Sequence, residues 1–155
     1  MRTVVVYVST HHGNTKKLLD AIAEKEAIDM IDIVENKDSE ISDYDLIGIA
    51  SGIAFGKYYP QILEYLKAAM PEGKKVFFIH TAGSPREDHN AAAKQIALER
   101  NCECLGTYFC KGFDTYGPFK LIGGINKNHP DQKELDGAVQ FYQEILNRCL
   151  DTVQK

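Results

Sequence analysis

The chain has no tryptophan, only five prolines and four cysteines in 155 residues. Four cysteines at this length do not make the disulfide framework of a small secreted domain. Long apolar runs are also missing. The longest, such as Val4–Val8, fall far short of the roughly twenty residues that cross a bilayer, so the chain is not expected to be membrane-embedded. Met1-Arg2-Thr3 leads into that run without the apolar core and small-residue cleavage site of a secretory leader. Basic charge is not in excess: 18 Lys and Arg stand against 22 Asp and Glu, a net charge of −4. A dedicated nucleic-acid binder needs a concentrated basic surface, so nucleic acid is not an expected partner. No repeat, low-complexity stretch or Pro/Ser-rich linker divides the chain. No His/Cys cluster has ligand spacing, so no metal site is expected. What remains is a cytoplasmic protein with a single domain over residues 1–155.

What is present is an alternation of hydrophobic patterns. The chain is 44% hydrophobic and 26% charged, enough to bury a core. Thr3–Ser9 is β-branched and almost continuously apolar, the pattern of a strand buried on both faces. Leu18, Leu19, Ile22 and Ala23 then recur at helical spacing. Further strands are expected at Ile28–Val34, Asp45–Ser51, Val76–His80 and, shorter, Leu105–Cys110. Between them, Pro60 opens a helix carrying Ile62, Leu63, Leu66 and Ala69, and another begins near Glu87 with Ala92, Ala93, Ile96 and Ala97 inward. The last helix places Leu135, Ala138, Val139, Tyr142, Ile145, Leu146 and Cys149 on one stripe. Five strands alternating with four helices imply an α/β protein with a parallel sheet covered on both faces. Ligands of such sheets bind outside the carboxyl ends of the strands. The segments 9–15, 51–58, 81–88 and 111–129 are therefore where a site is expected.

The first of these reads Ser9-Thr10-His11-His12-Gly13-Asn14-Thr15, between a buried strand and a helix start. Unpaired amides and the positive end of the helix dipole converge there, which suits a phosphate. Hydroxyls at Ser9, Thr10 and Thr15 add donors, and Gly13 lets the backbone approach. No Gly-Lys-Ser/Thr closes the loop, which disfavours nucleoside triphosphates, and it is not GxGxxG, which disfavours a dinucleotide. An ordinary capped helix start is the plainer reading of these residues. The loop resembles the hydroxyl-rich S/T-x-T-G-N-T phosphate loop of flavodoxins. Tyr44-Asp45-Leu46-Ile47 leading into Ser51-Gly52-Ile53-Ala54-Phe55-Gly56 is similar to that family's third strand and flavin-ring loop. The resemblance runs through essentially the whole chain. It implies a flavodoxin-like three-layer sandwich with a five-stranded parallel sheet of order 2-1-3-4-5 and helices on both faces.

It also implies FMN as cofactor. Ser9, Thr10, His11, His12, Gly13, Asn14 and Thr15 would hold its phosphate. Ser51, Gly52, Ile53, Ala54, Phe55 and Gly56, with Thr81, Ala82 and Gly83, would hold its ring. A backbone carbonyl near Gly52–Gly56 would accept a hydrogen bond from the reduced ring. The departure is His11-His12, where flavodoxins carry small or hydroxylic residues. With an ordinary pKa of about 6.5, one of them is expected to donate to the phosphate, so that FMN affinity falls as pH rises. The alternative is that both rings point to solvent.

The family's aromatic sandwich is missing: there is no Trp, and Thr81–Glu87 has no aromatic. Arg86 is either a counter-charge to the reduced flavin or a solvated residue at a helix start. In the long segment 111–129, Phe113, Tyr116 and Phe119 either close over the ring, bind a second reactant, or pack as a satellite cluster. Cys102 and Cys104 read as buried small hydrophobes and His80 as the tail of a buried strand. Cys110, at the end of the fifth strand, is a candidate for a redox role. The pattern C-K-G-F-D-x-x-G-P followed by N-H-P resembles a branch of flavodoxin-domain proteins. S-G-I-A-F-G-K-Y resembles the ring loop of menaquinone-dependent protoporphyrinogen oxidase. No acid/base pair is found and none is assigned as catalytic. The expectation is an electron carrier between redox partner proteins. Its alternative is an FMN-dependent oxidoreductase acting on a small redox substrate: a quinone, a porphyrinogen or NAD(P)H.

Overall fold

A computed structural model describes residues 1–154; Lys155, the last residue of the expected domain, lies outside the described residues. The chain runs β1 (Thr3–Val8), α1 (Asn14–Lys25), β2 (Asp29–Asp32), β3 (Leu46–Ala54), β4 (Lys57–Tyr58), α2 (Pro60–Ala69), β5 (Lys75–Ala82), α3 (Ala91–Glu99), β6 (Glu103–Lys111) and α4 (Gln132–Val153). Short 3-10 turns occupy Glu87–Asn90 and Gly117–Ile122. The sheet order is β2-β1-β3-β5-β6, all parallel, with β4 folded back antiparallel on β3. With that hairpin set aside, this is the expected 2-1-3-4-5 winding.

Alternation along each strand explains the apolar runs. Val4, Val6 and Val8 of β1, with Ile47, Ile49 and Phe78, face Ile62 and Leu66 of α2 and Ala93 of α3. Val5 and Tyr7, with Leu46, Ala50, Phe77 and Ile79, face Leu18 and Ile22 of α1 and Tyr142 and Ile145 of α4. Helices cover both faces, so the sheet reads as apolar throughout. Gly137 marks where α4 lies closest to the sheet: a Cβ there would stand 2.5 Å from the Tyr108 hydroxyl. That hydroxyl donates to the Glu134 carbonyl.

Besides shifts at the ends of β2 and β5, three boundaries differ from the sequence expectation. β3 continues through Ala54, so the expected ring loop is a hairpin whose turn is only Phe55-Gly56. Both residues have positive φ, 53° and 75°, the combination of a type I′ turn. β6 runs from Glu103 to Lys111, longer than expected, because its half-exposed edge residues hide the apolar pattern. The segment beginning near Glu87 is a 3-10 turn before α3 starts at Ala91. Among the described residues no helix is long and apolar enough to cross a membrane.

Candidate functional site

The loops after β1, β3, β5 and β6 meet at one end of the sheet around two spaces that share a wall. One is a narrow crevice of about 20 Å³, lined by Ser9, His11, Asn14, Thr15, Gly52, Thr81 and Gly112 among others. That is room for about one water. The other is an open groove of about 690 Å³ between the β3–β4 hairpin and the Gly117–Ile122 turn. Ile53, Ala82, Gly83, Asp114 and Tyr116 border both.

The crevice is built on the start of α1. His12 and Gly13 both take left-handed backbone, φ 57° and 64°, which turns the chain sharply into the helix. Ser9 Oγ accepts from the Lys16 amide at 3.0 Å and so caps it. Among the described residues the N–H groups of His12, Gly13 and Thr15 meet no acceptor. Donors left open at a helix N-terminus suit an anion. Thr15, fully buried, meets Thr81 through their hydroxyls at 2.9 Å. Asn14 is also buried; its Nδ2 donates to the Phe113 carbonyl at 2.8 Å, and its Oδ1 has no partner. Gly112 makes this approach feasible, since a Cβ there would lie 2.7 Å from Asn14 Nδ2.

The two histidines grip the 111–129 segment. The Thr115 amide donates to His11 Nε2 at 3.3 Å, and the His11 ring stacks on Tyr116. Burial and the neighbouring His12 hold the His11 pKa below its ordinary value, against the pull of Asp114 at 3.5 Å. A neutral ring accepting at Nε2 is the state consistent with both. His12 Nε2 meets Thr115 Oγ1 at 2.9 Å, and its ring lies 4.2 Å from that of Phe113. The alternative of two rings directed at solvent does not hold: His12 is exposed, but both rings are engaged by the loop.

The groove is braced by a buried polar chain. His80 Nε2 donates to the Arg86 carbonyl at 2.7 Å, which leaves Nδ1 to accept from the Tyr58 hydroxyl at 3.0 Å. Burial lowers the His80 pKa to about 4, so the ring is neutral. The chain ties β4, β5 and the loop after β5 together. The Asn126 side chain closes the far side by donating to the Gly83 carbonyl.

Of the expected site residues, Ser9, His11, Asn14, Thr15, Gly52, Ile53, Thr81, Ala82 and Gly83 line the crevice, and Ala54, Phe55 and Gly56 line the groove. Thr10, His12 and Gly13 shape the loop without lining either space. Ser51 faces away: its alternation puts it on the face of Ile47 and Ile49, where Oγ donates to the Gly52 carbonyl and accepts from the Tyr59 amide. Phe113, Tyr116 and Phe119 are not a separate cluster; Phe113 borders the crevice, Phe119 the groove, and Tyr116 both. Arg86 pairs with exposed Asp88. Cys110 is buried against the α4 side, and burial followed by Glu134 raises its thiol pKa far above the ordinary value. A thiol held protonated is a poor redox nucleophile.

Tyr59, Gly112 and Asp114, within or beside the expected segments but not singled out there, also line the two spaces, and so does His89, beyond segment 81–88. Sequence reasoning missed the convergence of His129, Asp131 and Glu134. That cluster is the N-terminal cap of α4: Asp131 accepts from the Glu134 amide, Glu134 accepts from the amides of Asp131 and Lys111, and His129 Nδ1 meets Glu134.

A family model described as a flavodoxin domain matches residues 4–106. An uncharacterised protein of Methanocaldococcus jannaschii is 38% identical over 148 residues, 94% of this chain and 99% of that protein. Oxidised flavodoxin 1 from Bacillus cereus has the same fold, with a TM-score of 0.69 at 18% identity over 95% of this chain and 98% of its own. Rubredoxin oxygen:oxidoreductase from the anaerobe Desulfovibrio gigas reaches a TM-score of 0.74 at 16% identity, covering 99% of this chain and 37% of that one.

Proposed function

The chain belongs to the flavodoxin-domain family, and from that premise we propose that it binds FMN and passes electrons between redox partners. The start of α1 carries the reading. Asn14 Oδ1, buried without a donor, and Thr15, whose amide has no acceptor, line one crevice that leads to an apolar groove, and the open amides of His12 and Gly13 stand on the loop that shapes it. The amides of His12, Gly13 and Thr15 suit the phosphate oxygens, and Asn14 Oδ1 suits a hydroxyl of the sugar chain. Ser9 keeps its own hydroxyl proton to donate. Ile53 and Ala54 on one lip and Tyr116 and Phe119 on the other give the groove the flat apolar walls that an aromatic ring needs. Tyr116, from the segment after β6, supplies an aromatic wall that the loop after β5 lacks. FMN supplies electron uptake and release when bound; the chain supplies binding, orientation and the surrounding electrostatics.

A second reading, an oxidoreductase that acts on a quinone, a porphyrinogen or NAD(P)H, is favoured by the size of the groove. Its volume of about 690 Å³ lies near the middle of the range for small-molecule sites, space for a ring and a small second reactant. The two readings separate on steady-state turnover. The FMN-loaded protein is given NADH or NADPH as electron donor together with a water-soluble quinone as acceptor, and loss of the nicotinamide absorbance is followed. A carrier exchanges electrons with redox proteins and turns over none of these reactants. Sustained turnover of any one of them selects the enzyme.

A further inference from the structure

We propose that the two lips of the groove form a docking surface for an acidic protein partner. The inference rests on the electron-transfer reading above and names the partner of that same site.

The lips are the Phe55-Gly56 hairpin tip and the Gly117–Ile122 turn, which face each other across the groove. Each carries bulky apolar side chains that point outward. Phe55 is 104% exposed, Leu121 89% and Ile122 73%. Phe55 also takes left-handed backbone, φ 53°, at a turn position that asparagine, aspartate or glycine fills without strain. Neither packing nor backbone preference accounts for a phenylalanine there. Contact with a group outside the chain does: the flavin ring on the groove side and a partner surface on the outward side.

Charge identifies that surface. Lys57 follows the hairpin tip, Lys120 lies within the opposite turn, and Lys127 follows Asn126, which is bonded to Gly83 at the groove wall. None of the three forms an ion pair among the described residues. The acidic groups nearby are Asp88, paired with Arg86; Asp114, turned inward to His11; Glu87; and Asp131 and Glu134, taken up by His129 and the cap of α4. Segments 51–59, 81–90 and 111–129 hold five basic residues against three acidic ones, while the rest of the chain holds 13 against 19. The mouth of the groove is thus basic on an acidic protein. Apolar anchors ringed by unpaired charge are the anatomy of a protein interface, and the charge asymmetry orients an acidic partner toward the groove. A bilayer fits less well. The anchors sit on two separate lips, a two-residue hairpin turn and a 3-10 turn, neither of them an amphipathic helix that could lie in a membrane surface.

The test uses the full chain, with and without FMN, and two probes that share one fold and haem: native cytochrome c, which is basic, and its lysine-succinylated form, which is acidic. Titration calorimetry and amide shifts of the labelled chain are recorded at low salt. The expected result is binding of the succinylated form at least about tenfold tighter than the native form, weakened about tenfold between ~20 and ~200 mM salt. The shifts fall on Phe55, Lys57, Leu121 and Ile122. The K57E/K120E/K127E variant, shown folded by circular dichroism, reverses the preference. Equal or tighter binding of native cytochrome c, shifts elsewhere on the chain, or a triple variant with unchanged preference overturns the proposal. So does sedimentation with phosphatidylserine vesicles when the succinylated probe does not bind. FMN affinity is measured separately: docking without FMN binding refutes the cofactor reading alone, and FMN binding without docking refutes the partner alone.

Discussion

The rings of His11 and Tyr116 are stacked, their centroids 4.0 Å apart and their planes 16° from parallel. This contact joins the loop after β1 to the segment after β6 directly over the crevice, and it leaves room there for about one water. On the proposed reading, a sugar-phosphate arm would enter only when the stack loosens. Tyr116→Leu is therefore expected to speed FMN association several-fold in stopped-flow fluorescence, and to speed release as well. An unchanged association rate would show that the stack does not gate entry.

His11 adds a pH dependence to this clasp. Its folded pKa lies below the ordinary value of about 6.5, chiefly through burial. The unfolded chain therefore binds the proton more readily, and the clasp is favoured above that pH and weakened as pH falls toward the lowered value. The Thr115 N–H loses its acceptor when Nε2 is protonated. The Thr115 amide resonance should titrate below pH ~6.5 in the wild type and stay flat in His11→Asn.

His80 gives a larger effect with the same sign. Its pKa falls from 6.5 to about 4 because the ring is buried. Stability it confers is present above pH ~6.5 and lost as pH falls toward ~4, in total about 3 kcal/mol. Urea unfolding of His80→Gln should show a lower stability at pH 7 and a shallower decline between those limits than the wild type. Parallel declines would exclude the buried Tyr58–His80–Arg86 chain as the source.

What the sequence shows and what it hides follow from the same physics. β1, β3 and β5 are legible because both faces of the sheet are covered, so their centres, Val4–Val8, Leu46–Ala50 and Val76–Ile79, are continuously apolar. β4 is not legible: two residues, Lys57 and Tyr58, carry no period. Ser9–Thr15 reads correctly as a helix start rich in donors, since those features are local. The histidines do not, because their partners lie about a hundred positions away. The resemblance of Ser51–Gly56 to a flavin-ring loop places Ser51 at the ring, but strand alternation turns it under Tyr59.

Gly112 tests the contact between β6 and α1. A Cβ at this position meets Asn14 Nδ2, Cγ and Cβ at 2.7, 2.9 and 3.1 Å. Because Asn14 is buried and bonded to Phe113, it has little freedom to retreat. Gly112→Ala should cost about 1–3 kcal/mol of stability by overpacking, read from the urea midpoint. A neutral substitution would mean that the crevice wall is slack.

Phe55 makes the opposite prediction. Replacing an exposed aromatic in left-handed backbone by asparagine relieves strain, so Phe55→Asn should stabilise the chain by about 1 kcal/mol. A loss of stability would mean that Phe55 packs against the chain rather than projecting from it.

Paired titrations with FMN and riboflavin test most directly whether the start of α1 is a phosphate site. The two ligands share ring and sugar chain and differ only in the phosphate. Flavin fluorescence should report one FMN bound per chain, at least about a hundredfold tighter than riboflavin, since several charge-assisted bonds are lost with the phosphate. Equal affinities, or no binding of FMN, would contradict a phosphate site there.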